Sequence, residues 1–123
     1  MATLGDRVFD NGLTVLDTEA NKILVTSQEA TTFTEANATY ALGNSTSLSI
    51  NAPADRTGGG RKVTVAAISD GSITATGTAT HYAIVDTTNS RLLATAALTA
   101  SQSVTSGNTF TLATFDIGIP DPS

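Results

Sequence analysis

One histidine, eleven carboxylates and no cysteine are what this 123-residue chain offers for acid–base, nucleophilic or metal chemistry. His81 stands in a strand-like run beside Tyr82, and its nearest acids along the chain are Asp70 and Asp86. An imidazole near carboxylates is the raw material of a general base, but a hydrolytic triad also needs a nucleophile on a recognisable turn, and none accompanies it. Without cysteine there is no thiolate, no disulfide framework and no zinc site of the usual Cys/His kind. No Asp-rich calcium loop is present. A glycosidase-type carboxylate pair is defined by separation in space, on which sequence is silent. The acids fall at turns and strand ends, as on a solvated surface. The expectation is a protein without active site, metal or cofactor, in which His81→Ala is tolerated unless the ring is packed in the core.

Three further motifs invite a function. Thr57-Gly58-Gly59-Gly60-Arg61-Lys62 is rich enough in glycine to cradle a phosphate, but a phosphate loop opens a helix and here a strand follows. A mobile hairpin loop is expected instead. Asn37-Ala38-Thr39 and Asn44-Ser45-Thr46 match the glycosylation pattern, which arises by chance in a chain with 23 threonines and 11 serines. Sugar-binding modules hold rings on aromatic faces, and this chain has no tryptophan and two tyrosines.

Charge narrows the partners. Six basic residues against eleven acidic ones give a net charge of −5 with no Lys/Arg cluster, so neither nucleic acid nor an anionic membrane is expected. No apolar stretch approaches the ~20 residues of a membrane span. Asp6, Arg7 and Asp10 lie where a signal peptide would carry an apolar run, so synthesis and folding in a cytoplasm are expected.

These residues must be positioned by strands. From residue 61 onward, alternating apolar positions and turn signals predict consecutive antiparallel strands. Residues 61–69 form the first; Asp70-Gly71 is the pair a two-residue hairpin loop favours, so residues 73–76 should fold back. Gly77 interrupts, residues 80–86 read as a central strand with both faces apolar, and residues 91–98 return after a polar turn. In residues 109–119, Phe110 and Leu112 occupy even positions while Phe115, Ile117 and Ile119 occupy odd ones. Either both faces are covered or a one-residue bulge near Ala113-Thr114 restores the alternation, and the bulge is favoured. Pro120 and Pro122 end pairing.

The first half is less regular. Leu13, Leu16 and Ala20 have helical spacing with Asp10 as N-cap. The rival is a strand at residues 13–16 hairpinned onto 23–25. Residues 22–26 predict a buried strand, 27–44 an ordered loop over one sheet, 46–50 a strand, and 52–60 the most flexible segment. The resulting expectation is a single mainly β domain over residues 1–123 with flexible terminal segments. It is an antiparallel β-sandwich or flattened barrel of about seven to eight strands with one short N-terminal helix. Its core should include Leu16, Ile23, Val25, Leu48, Val63, Val65, Ile84, Leu93, Leu112, Phe115 and Ile117.

The runs Gly60-Arg61-Lys62-Val63-Thr64-Val65-Ala66, Ala79-Thr80-His81-Tyr82-Ala83-Ile84-Val85-Asp86, Leu92-Leu93-Ala94-Thr95, Ser106-Gly107-Asn108-Thr109-Phe110-Thr111 and Phe115-Asp116-Ile117 resemble small β-rich virion proteins of tailed bacteriophages. Residues 10–16, 22–26 and 30–36 are similar to the opening segments of that group, so the resemblance spans nearly the whole chain. Thr26 and Glu29 depart from it, standing where several relatives carry cysteine and proline. The resemblance implies a structural component of a phage particle. A capsid decoration, or cement, protein must be small, soluble and multiply bound, and this chain meets each condition. No fibre-like repeat or coiled coil is present. The expectation is therefore binding to the major capsid protein on the outer head surface, as a homo-oligomer with a trimer favoured. A tail-associated or adaptor subunit is the alternative, and a carbohydrate-binding module a more distant one. Contact residues are expected in the 52–61 loop, namely Pro53, Arg56, Gly58, Gly59, Gly60 and Arg61, together with both termini, because glycine lets the loop order on a partner and its arginines suit an acidic surface.

Overall fold

The structure, a computed structural model, describes residues 5–120. Its elements are α1 (Asp6–Glu19), β1 (Lys22–Thr26), a π-helical turn (Glu35–Thr39), β2 (Ala41–Ser45), β3 (Ala54–Asp55), β4 (Arg61–Val65), β5 (Ile68–Ile73), β6 (Gly77–Asp86), β7 (Arg91–Val104), β8 (Thr109–Leu112) and β9 (Phe115–Ile119). Every strand pairing is antiparallel, and the protein is mainly β as expected. The chain forms two compact units, one from Met1–Glu19, Ser49–Ala67 and Ala113–Ser123, the other from Ala20–Leu48 and Ile68–Leu112. The flexible tails expected at the ends fall, for residues 1–4 and 121–123, outside the described residues. The expected N-terminal segment is residues 1–7, and of these Asp6 and Arg7 belong to α1.

In the first unit α1 packs on the three-stranded sheet β3-β4-β9. Leu13 and Leu16, three apart on one helix face, are buried, as are Val63 and Val65 on β4. The helix begins four residues before the expected N-cap. Asp10 lies inside it, and its carboxylate accepts from Arg61, distant in sequence.

In the second unit six strands in the order β7-β6-β1-β2-β5-β8 form a sheet that curls into a half-barrel. β1 lies between β6 and β2, and Ile23, Leu24, Val25 and Thr26 are all buried, so both of its faces are covered. Of residues 27–44, expected as a loop over one sheet, residues 27–40 do cover one face, with a π-helical turn at Glu35–Thr39, whereas residues 41–44 belong to β2. Ala30, Phe33, Ala36 and Tyr40 pack with Leu24, Ala83, Val85 and Leu92. Thr26 is fully buried, and its hydroxyl donates to Gln28 O at 2.8 Å.

Several expectations are corrected. The Asp70-Gly71 hairpin does not exist: β5 runs through it, and Ser69 and Asp70 form a bulge opposite β8 between the pairs Ile68–Leu112 and Gly71–Phe110. Gly71 is required by contact rather than by turn geometry, since a Cβ there would collide with the Phe110 ring. No bulge falls at Ala113-Thr114. Val65 faces Phe115 and Ile68 faces Leu112 with the same offset, so both strands leave the ladder together and resume in the other sheet. That break inverts the alternation, and the division of two long runs between two sheets raises the strand number to nine among the described residues. Gly77 opens β6, and β7 continues to Val104. Residues 46–50 contribute only the bridge from Ile50 to Val65, whereas the strand lies at Ala41–Ser45, where Leu42 is buried. Leu48, Leu93, Leu112, Phe115 and Ile117 are half-buried rather than core, while Leu24, Ile68, Ile73, Val85 and Phe110 belong to it.

Gly71→Ala should destabilise the protein by about 1–3 kcal/mol through overpacking against Phe110. Gly12→Ala should stabilise it by about 0.5–1 kcal/mol, because Gly12 lies in the exposed interior of α1 with nothing within 4 Å of the added Cβ. Chemical denaturation of the two variants checks both signs.

Candidate contact surface at the glycine-rich hairpin

The 52–61 segment is folded rather than slack. Ala54 and Asp55 pair with Lys62 and Arg61, making β3 and β4 a hairpin. Its turn is closed by Arg56 N donating to Gly60 O and Gly59 N donating to Arg56 O, both at 3.1 Å. Gly58, Gly59 and Gly60 have φ of 90°, 105° and 89°, the left-handed region that side-chain-bearing residues rarely adopt. At Gly60 the backbone also passes so close to Ile119 O that no Cβ fits.

The six expected contact residues divide by environment. Arg61 is an internal fastening. Its Nε and Nη2 donate to the two carboxylate oxygens of Asp10 at 2.9 and 3.2 Å, its Nη1 to Asp55 Oδ1 at 2.6 Å, and its Nη2 to Pro53 O at 3.4 Å. Its side chain is 15% exposed, so it offers little to a partner. Arg56 is half-buried and donates from Nη1 to Gly59 O at 3.0 Å. Gly58 is exposed, and Pro53, Gly59 and Gly60 are half-buried. The exposed tip is therefore Thr57-Gly58.

Beside this turn lies a cleft of about 380 Å³ lined by Arg56, Thr57, Lys62, Asp116 and Gly118. Asp116 on β9 accepts from Thr64 Oγ1 at 2.7 Å and from Lys62 Nζ at 3.0 Å across the β4–β9 pair. These two bonds, Thr64 first, hold the Asp116 carboxyl below its ordinary pKa. Gly118 has no side chain, and Arg56 lies across it: a Cβ at that position would be 3.0 Å from Arg56 Cδ. Sequence reading missed the partners Asp10, Asp55 and Asp116. The Lys62–Asp116 contact follows once β4 is known to pair with β9, whereas no local signal joins Asp10 to Arg61.

Other candidate groups serve turns and bulges. Asp70 accepts from Ser47 Oγ at 2.6 Å and Ser45 Oγ at 3.1 Å, which hold its pKa low. Asp86 is buried, and it accepts from Thr88 N at 2.9 Å and Asn89 Nδ2 at 2.9 Å; the Asn89 side chain leads in lowering its pKa. His81 Nδ1 lies 2.8 Å from Thr80 Oγ1, and neither Asp70 nor Asp86 is its hydrogen-bond partner. Asn37 accepts from Lys22 Nζ at 2.9 Å. Among the described residues no group of three or more His, Asp or Glu side chains is arranged to hold a metal ion, and no helix is long and apolar enough to cross a membrane.

No protein-family model, no curated protein and no solved structure matches the chain.

Arg61→Ala should cost about 1–2 kcal/mol, because it unfastens α1 and β3 together and strands a half-buried Asp10. Arg61→Lys should recover little of this, since one ammonium cannot reproduce the two-oxygen contact with Asp10. Thermal unfolding of both variants tests the contrast. Asp70, Asp86 and Asp116 all have folded-state pKa values below the ordinary 3.8. Their contribution is fully present above that value and is lost as pH falls through the folded pKa values. Stability measured from neutral pH downward should hold to about pH 4 and then fall, and Asp116→Asn should flatten the fall.

Proposed function

We propose that this chain is a structural protein of a tailed-bacteriophage particle, acting on the outer head surface as a decoration protein bound to the major capsid protein. The observation that carries this reading is the resemblance spanning nearly the whole chain. Its conspicuous runs lie in the strands that define the two sheets: β1, β4, β6, the start of β7, β8 and β9. The way polar side chains are used supports a structural role. Arg61 fastens α1 and the β3–β4 hairpin, Lys62 and Thr64 join β4 to β9, Asp70 holds the β5 bulge and Asp86 the turn after β6. The 52–61 hairpin is already ordered by its glycine turn and by Arg61, so its tip would meet a lattice with little further ordering cost, and a small gain per site is multiplied over many copies.

Incubating the purified protein with undecorated capsids of the phage that encodes it, followed by particle imaging, tests the proposal. Density on the head lattice is expected; density confined to the tail or baseplate would overturn the head assignment in favour of a tail-associated role. Deleting residues 55–59 is a poor probe of the contact, because it removes half of β3 and one carboxylate that holds Arg61. Thr57→Trp, at the exposed tip, should lower head occupancy several-fold while leaving the circular dichroism spectrum and melting temperature unchanged. Unchanged occupancy removes the hairpin from the interface.

A further inference from the structure

We propose that the outer edge of β9 is where two copies of this chain pair, antiparallel, about a two-fold axis through Ile117. The three-stranded sheet ends at β9, whose five residues pair with β4 in unbroken register. An exposed edge is normally blunted by a lysine, a proline or a bulge. Phe115–Ile119 carries no lysine, proline or bulge, and Lys62 and Thr64 of β4 engage its one charge, Asp116. Its odd positions place Phe115, Ile117 and Ile119 on one face. Phe115 and Ile117 are half-buried, and Ile119, 38% exposed, is the exposed large apolar side chain among the described residues.

The strand matches itself when reversed. Pairing centred on Ile117 sets that residue against its own copy, Phe115 against Ile119, and Asp116 against Gly118. Apolar meets apolar on one face. On the other, no like charges are opposed, which matters for a chain of net charge −5. The side chain facing Gly118 in this register is Asp116 of the second copy, and directly opposed Cβ atoms stand about 4.5–5.5 Å apart. Arg56 already lies across Gly118, its Nε 3.2 Å from where a Cβ would be. Its guanidinium is held by Gly59 O, and no carboxylate among the described residues pairs with it. The incoming Asp116 thus arrives beside that guanidinium while Lys62 and Thr64 fix it from its own chain. The two-fold axis repeats the contact, giving two Arg56–Asp116 pairs per dimer. A self-matching strand of this kind is isologous and closes as a dimer, in contrast to the three-fold arrangement that the phage resemblance suggests. The inference does not rest on the virion role.

Sedimentation of the purified full chain should show a concentration-dependent monomer–dimer equilibrium. Because the chain has no cysteine, Ile117→Cys places one thiol on the axis. Oxidation should give a covalent dimer reversed by reductant, since residues opposed across such a pair lie within disulfide reach. Ser101→Cys, exposed on β7, should not cross-link. Arg56→Glu should raise the dimer dissociation constant about tenfold with an unchanged circular dichroism spectrum, and adding Asp116→Arg to it should restore much of the loss. A monomer at every concentration, a trimer, equal cross-linking at Ser101→Cys, or an unaffected dimer in Arg56→Glu would each overturn the proposal.

Discussion

The pairing of residues 61–73 with residues 109–119 is the constraint on which the rest depends. Arg61–Val65 pair with Phe115–Ile119 without a break in one sheet, and Ile68–Ser72 pair with Thr109–Leu112 around a bulge in the other. Both strands leave their ladders at the same level, at Ala66-Ala67 and Ala113-Thr114. Thr114 helps to fix that departure, its hydroxyl donating to Val65 O at 2.7 Å. Within the first unit the β4–β9 pair gives α1 a strand to pack on, and within the second the β5–β8 pair gives β2 an edge to join.

Around this frame, polar side chains act as fastenings. Arg61 gathers Asp10 from the helix, Asp55 from β3 and a carbonyl at Pro53, so one residue fixes three stretches of chain. A planar guanidinium with several fixed donors suits this task in a way a lysine does not. Asp70 does the same at the β5 bulge, where its extra backbone residue is held against Ser45 and Ser47. Asp86 accepts from the backbone and side chain of the turn that follows β6. These carboxylates are stabilised in their charged form by hydrogen bonds to that form, and this links the fold to pH.

Glycine shapes the surface in two different ways. In the 52–61 hairpin, three successive residues with positive φ make a turn that other residues would strain. At Gly71 and Gly118 the backbone is ordinary, and what matters is the missing Cβ: a phenyl ring occupies one space and an arginine the other. The hairpin tip is therefore built in advance of any partner, and the Arg56 side chain is positioned over β9 by an absence in the sequence rather than by a charge.

Much of the local structure was legible in residue types. The mainly β class, the buried strand at residues 22–26, the central strand ending at Asp86, the polar turn before Arg91 and the helical spacing of Leu13 and Leu16 follow from periodicity and turn chemistry, which act within a few residues. The parity conflict in residues 109–119 signalled a discontinuity at Ala113-Thr114 but not its form. A bulge and a change of sheet produce the same alternation, and only the register with residues 61–68 distinguishes them. Asp70-Gly71 has the composition of a turn, yet Phe110 decides that Gly71 is a site of close packing within a strand. Arg61 and Arg56 are equivalent in sequence, both arginines flanking one glycine-rich loop. Their different fates depend on Asp10 and Gly118, more than fifty positions away, because charge pairing and steric access are set by proximity in space, which the chain acquires only on folding.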